Sequence, residues 1–150
     1  MSLHYSLLLQ QEVTFETNFK SLLQKYDISA GSIADIPKGR KIETPDFTIS
    51  ITDTSDMPFG WESELLREEY PYIQSIGFRL DKNSDLVQAG SEILEIALGI
   101  LKGVSKALFL LNDSVVFYWD GVNLLINNEF GFWDIERRLQ IIGDRVYSTF

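Results

Sequence analysis

The block ALFLLNDSVVFYWDGVNLLIN, Ala107 to Asn127, constrains the fold more than any other stretch of the chain. Three short apolar runs are cut by Asn112-Asp113 and by Asp120-Gly121, residues that tolerate the tight backbone of hairpin turns. The block therefore reads as strands at Ala107–Leu111, Val115–Trp119 and Val122–Asn127, folded back on one another. Such a meander is antiparallel, so the rest of the chain has a sheet to pack against. Leu3–Gln10, Phe47–Thr52 and Tyr72–Leu80 show strand composition and alternation, and a further short strand is admitted at Ile33–Ile36 beside the Pro37-Lys38-Gly39 turn.

Three segments carry helical patterns. Thr14 is placed to cap a helix on which Phe15, Phe19, Leu22, Leu23 and Tyr26 recur every three to four residues. From about Asp85 to Val104, the residues Val87, Leu94, Ala97, Leu101 and Val104 form a stripe that Ile93, Ile96 and Ile100 widen. A short helix starts near Asp134, places Ile135, Leu139 and Ile142 on one face and stops at Gly143. The element order predicts an α+β protein: a mainly antiparallel β-sheet with two main helices packed on one face and a short C-terminal helix. The length of 150 residues and the absence of any linker composition predict a single domain over 1–150.

Composition excludes several chemistries. There is no cysteine, which removes disulfides, thiolate nucleophiles and cysteine-ligated metals, and there is one histidine, His4. No P-loop, dinucleotide-binding glycine pattern, His-Glu-x-x-His motif or nucleophile elbow occurs, so no catalytic residue, cofactor or metal site is expected. The window from Asp81 places Asp81, Asn83, Asp85 and Glu92 at the ligand spacing of a calcium loop. Leu86 stands where that loop needs glycine, however. Asp85 followed three residues later by Gln88 is explained by a helix cap. The opening MSLHYSLLLQQEV has no cationic region or small-residue cleavage site, and a cytoplasmic protein is expected.

The net charge of −9 is concentrated. Between Ile42 and Phe78 stand eight acids and one base, whereas the remaining chain is nearly balanced. This field repels nucleic acid and anionic membrane and attracts cationic partners. Within it, GWESELLREEYPY, Gly60 to Tyr72, mixes carboxylates with large aromatics in what reads as an irregular connection holding at most a helical turn or two. Trp61, Tyr70 and Tyr72 are residue types that anchor protein interfaces, and Glu62, Glu64, Glu68 and Glu69 would steer a cationic partner. These seven are the candidate partner-binding residues. The competing reading is a loop whose aromatics pack inward beneath solvated acids.

The chain also resembles the Sit-type immunity proteins of bacterial polymorphic toxin systems. The resemblance rests on Leu3-His4-Tyr5-Ser6-Leu7, on Phe-Arg-Leu-Asp-Lys at 78–82 with the amphipathic helix after it, on LFLLNDSVVFYWDGVNLLIN, and on Trp133. It implies a non-catalytic inhibitor that binds and neutralises a cognate toxin, and it assigns no contact residue. An acidic aromatic patch would suit a cationic toxin such as a nuclease. A generic protein-binding scaffold and a small carboxylate-based hydrolase are the alternatives left open by the residues themselves.

Overall fold

The computed structural model describes residues 3–14, 19–25, 32–56, 60–63, 65–81 and 83–150. Strand β1 (His4–Leu9) is followed by α1 (Lys20–Lys25), β2 (Ser32–Ile36), β3 (Gly39–Glu43) and β4 (Phe47–Asp53). Next come β5 (Trp61–Ser63), β6 (Glu68–Tyr70), β7 (Gln74–Leu80) and α2 (Leu86–Ile100). The chain continues with β8 (Ala107–Leu111), β9 (Ser114–Trp119), β10 (Leu124–Ile126), a 3-10 turn (Gly131–Asp134), α3 (Glu136–Ile142) and β11 (Tyr147–Thr149). Nine strands form one sheet in the order β11-β10-β9-β8-β1-β7-β4-β3-β2, while β5 and β6 form a separate two-stranded sheet.

The expected α+β fold class is corrected by this architecture. The protein is mostly β, its large sheet is mixed because β11 runs parallel to β10, and α2 is the one helix longer than seven residues among the described residues. Three segments account for the difference. Ser32–Ile36 and Gly39–Glu43 pair around the Pro37-Lys38 turn, although GRKIE alternates poorly. Tyr147–Thr149 adds an edge strand whose three residues are all exposed. Trp61–Tyr70, read as irregular or helical, is a hairpin. All three are built from short strands with little alternation of their own, so the pattern of their residues does not announce the pairing. The expected helix after Thr14 is described only as α1 with Phe19 before it, and Phe15 and Tyr26 lie outside the described residues.

The sheet's two faces differ chemically, and period-two alternation sets the difference. Tyr5, Leu7 and Leu9 of β1, Ile49 and Ile51 of β4, Ile76 and Phe78 of β7, and Phe109 of β8 join the buried faces of α2 and α3 in the main core. Helix α2 starts where the sequence places it. The Asp85 side chain accepts hydrogen bonds from the Val87 and Gln88 amides at 3.0 and 3.1 Å. Gln88 does not close a capping box: its amide donates to Glu92 instead. Helix α3 ends at Gly143, whose φ of 66° is left-handed. It carries Arg138, 5% exposed, whose guanidinium lies 4.1 Å over the Phe132 ring and donates to the Phe132 carbonyl.

The opposite face alternates with this core. His4, Ser6 and Leu8 of β1 stand beside Arg79, Gly77 and Ser75 of β7, and beyond them β4 contributes Thr48, Ser50 and Thr52. Strand β8 departs furthest from alternation, because Ala107 through Leu110 are all buried. Phe109 faces the helices while Leu108 and Leu110 belong to a second apolar cluster on the other face. A β-bulge opposite Phe109 and Leu110 lets Val116 and Phe117 both reach the main core and leaves Val115 to the second cluster. A continuous apolar strand is one buried on both faces, and here a second layer covers it.

Gly39 marks a close approach between β3 and β4. A Cβ at this position would lie 1.8 Å from the Ile51 carbonyl oxygen, and a backbone atom has no rotamer by which to yield. Gly39→Ala is therefore expected to destabilise the protein by about 1–3 kcal/mol, the range for overpacking that moves backbone. A denaturant midpoint unchanged from the parent would contradict this.

Candidate partner-binding surface

The second layer is the β5–β6 hairpin, which covers the sheet face that the helices leave open. Its register pairs Trp61 with Tyr70, Glu62 with Glu69 and Ser63 with Glu68. Trp61 and Tyr70 therefore project to one side, and Glu62 and Glu69 to the other. Tyr70 is 3% exposed, packs edge-on against Tyr118 at 6.1 Å between ring centroids, and donates its hydroxyl to the Leu8 carbonyl at 2.8 Å. Trp61, Leu65, Leu66, Tyr72 and Tyr118 surround this anchor at the margin of the second cluster. Burial pushes the Tyr70 phenol well above its usual range, and Tyr118 nearby adds to the shift.

Close backbone contact holds the hairpin's entry. A Cβ on Gly60 would come 2.3 Å from the Tyr70 carbonyl oxygen, and the Gly60 amide donates to the Glu69 carboxylate. Glu62, Glu68 and Glu69 are exposed and form no ion pair among the described residues. Glu62 and Glu69 oppose one another directly across the strands, an arrangement that destabilises a hairpin. Glu68 lies close enough to Tyr118 to help raise its phenol pKa, behind burial and Asp120.

Of the seven candidate residues, the structure brings Trp61, Glu62, Glu68, Glu69, Tyr70 and Tyr72 onto or beside one hairpin. Tyr70 lies beneath it rather than on its surface. Glu64 lies outside the described residues. The acids are solvated while the aromatics face the sheet, which is the geometry of the competing reading.

Between the hairpin and the sheet runs a groove of about 370 Å3, lined by His4, Ser6, Leu8, Trp61, Tyr72, Ser75, Leu110, Asn112 and Asp113. Sequence reasoning did not place His4 or Asp113 with Trp61. The parity of His4-Ser6-Leu8 against Tyr5-Leu7-Leu9 signals the shared face, but which strands flank β1 is a long-range property. The turn between β8 and β9 is fixed onto β1 by a reciprocal clamp. The His4 amide donates to Asn112 Oδ1 at 3.1 Å, and the Asn112 amide donates to the His4 carbonyl at 2.7 Å. Asn112 takes a left-handed φ of 51°, one that asparagine tolerates better than most residues.

The His4 imidazole lies over Gly77, where a Cβ would meet Cε1 at 3.1 Å. Desolvation, reinforced by Arg79, lowers its pKa from the ordinary 6.5. The folded chain thus prefers neutral His4. Any stability linked to it is complete above pH 6.5 and is lost as pH falls from 6.5 through the lowered value. An NMR titration of the imidazole is expected to show a midpoint below 6.5, and Arg79→Gln is expected to move it upward. A midpoint at or above 6.5 would contradict the placement.

A second cavity of about 240 Å3 is lined by Glu12, Val13, Thr14, Lys38, Gly39, Arg40, Ile51, Asp53 and Gln74. Hydrogen bonds from Ser55 hold the Asp53 carboxyl below its usual range, the opposite of what a general acid requires. Among the described residues, no group of three or more His, Asp or Glu side chains is placed to hold a metal ion. No helix among them is long and apolar enough to cross a membrane.

Compared with known proteins, the chain matches a family model described as SitI3-like over residues 3–137. No curated protein and no solved structure matches it.

Proposed function

The chain belongs to the SitI3-like family, and from that premise we propose that it is a non-catalytic immunity protein that neutralises a cognate toxin by binding it through the β5–β6 hairpin. The observation that carries this reading is the Glu62–Glu69 pair. Two like charges face each other across a hairpin that is itself held down by Tyr70, with Glu68 alongside. The fold gains nothing from that repulsion, whereas a cationic partner would be drawn by it and would relieve it. Trp61 and Tyr72 are the aromatic contacts at the hairpin's margin, and Tyr70 positions them from below. The toxin surface that fits is basic, as in a protein that itself binds nucleic acid.

The lining of the groove supports the non-catalytic part of the reading. The groove beside the hairpin has one carboxylate, Asp113, whereas carboxylate-based hydrolysis needs two about 5–10 Å apart.

Co-expression with the product of an adjacent toxin-like gene tests the proposal. Cells carrying both are expected to grow, and the two proteins to purify together. Growth arrest despite soluble expression of both would overturn it.

A further inference from the structure

The groove beside the hairpin has its own chemistry, distinct from the acidic surface of β5 and β6. We infer that it receives a single arginine side chain of the partner protein, an inference that rests on the immunity reading. The volume of about 370 Å3 lies at the small end of ligand pockets, roughly 300–1,000 Å3, and suits one side chain better than a cofactor. Its base is apolar, from Leu8 and Leu110, and its walls include the rings of Trp61 and Tyr72, both half-buried. Half-buried aromatic rings lining a groove offer faces on which a planar guanidinium stacks.

The polar groups complement the same ligand. Asp113 is exposed at the groove's end, makes no ion pair or side-chain hydrogen bond among the described residues, and is held there by the His4–Asn112 clamp. Ser6 and Ser75, diagonal neighbours on β1 and β7, supply hydroxyl oxygens on the lining. His4 contributes an imidazole nitrogen able to accept a hydrogen bond when neutral. A guanidinium has five N–H donors and no acceptor, which matches a lining of carboxylate, hydroxyl and imidazole acceptors. Arg79, the cross-strand neighbour of His4, stands outside the lining. Glu62, Glu68 and Glu69, on the same hairpin as Trp61, add attraction for the incoming charge.

The test uses the whole chain, 15N-labelled, titrated at low salt with acetyl-tetra-arginine amide and with the neutral tetra-citrulline counterpart. The arginine peptide is expected to shift the Trp61 indole N–H and the Ser6 and Asp113 amides in a saturable way, and citrulline to bind at least about ten-fold more weakly. Asp113→Asn is expected to weaken arginine-peptide binding about 3–10-fold, and Trp61→Leu to weaken it by a similar factor. Trp61 also packs against the second cluster, so Asp113→Asn, at an exposed position, decides the matter if Trp61→Leu loosens the hairpin. Equal binding of the citrulline peptide, indifference to Asp113→Asn, or shifts confined to Glu62, Glu68 and Glu69 would overturn the inference. If the peptide test fails while the adjacent toxin is still captured, the groove inference falls and the immunity reading stands. Peptide binding without toxin capture would instead remove the immunity reading.

Discussion

Tyr70→Ala is expected to lower the free energy of unfolding by about 3–5 kcal/mol, the range for removing a fully buried aromatic ring. The ring is 3% exposed, and its loss would open a cavity between Leu8, Leu108, Leu110 and Val115. It would also remove the edge-on contact with Tyr118 and the hydrogen bond to the Leu8 carbonyl. An isolated two-stranded hairpin is marginal in water, so β5–β6 is expected to detach when its anchor goes. Denaturant titration followed by tryptophan fluorescence, with amide exchange at residues 61–70, reads both effects. Tyr70→Phe separates ring from hydroxyl and is expected to cost about 1 kcal/mol. The raised phenol pKa sets the pH dependence. The neutral form is favoured by folding, so its contribution is complete below pH 10 and is lost as pH climbs beyond the unfolded value. Tyr70→Phe should therefore soften alkaline unfolding. A Tyr70→Ala midpoint within about 0.5 kcal/mol of the parent would show that the hairpin is held by something else.

Reversing Glu62, Glu68 and Glu69 to lysine is expected to have the largest effect on function. Each reversal adds two charges, so the net charge moves from −9 to −3. Steering by a concentrated field raises association rates by about 10–1000-fold, and the triple variant should lose most of that factor at low salt. Its association rate should also depend less steeply on ionic strength. Reversal of Glu62 and Glu68 should change stability little, since both are exposed and without ion pairs among the described residues, whereas reversal of Glu69 also removes the acceptor of the Gly60 amide. A variant that associates as fast as the parent, with the same salt slope, would remove the hairpin from the encounter.

How much of this was legible beforehand depended on the range of the forces involved. The meander from Ala107 to Asn127 was readable because Asn112 and Asp120-Gly121 dictate local backbone, and the cap at Asp85 was readable for the same reason. The hairpin Trp61–Tyr70 was not. Its strands have three residues each, and its turn is formed with Arg67 at a φ of 58°, a conformation without a glycine to announce it. One signal of the second layer does stand in the sequence. Ala107–Leu111 is apolar without alternation, which implies a second layer over the face that the helices leave open. Tyr70, with its raised hydrophobic content among acids, was the residue placed to supply it. The groove was beyond reach for a different reason. His4, Trp61 and Asp113 are joined only by the order β8-β1-β7, which depends on pairing across the whole chain.

The central claim is that partner binding occurs on the helix-free face, through the hairpin. Amide hydrogen exchange of the chain, alone and mixed with the product of the adjacent toxin-like gene, tests it most directly. The account predicts a complex in which exchange slows at residues 60–72 and at the turn around Asn112 and Asp113, with α2 and α3 unchanged. Protection confined to α2 and α3, or no complex at all, would contradict it.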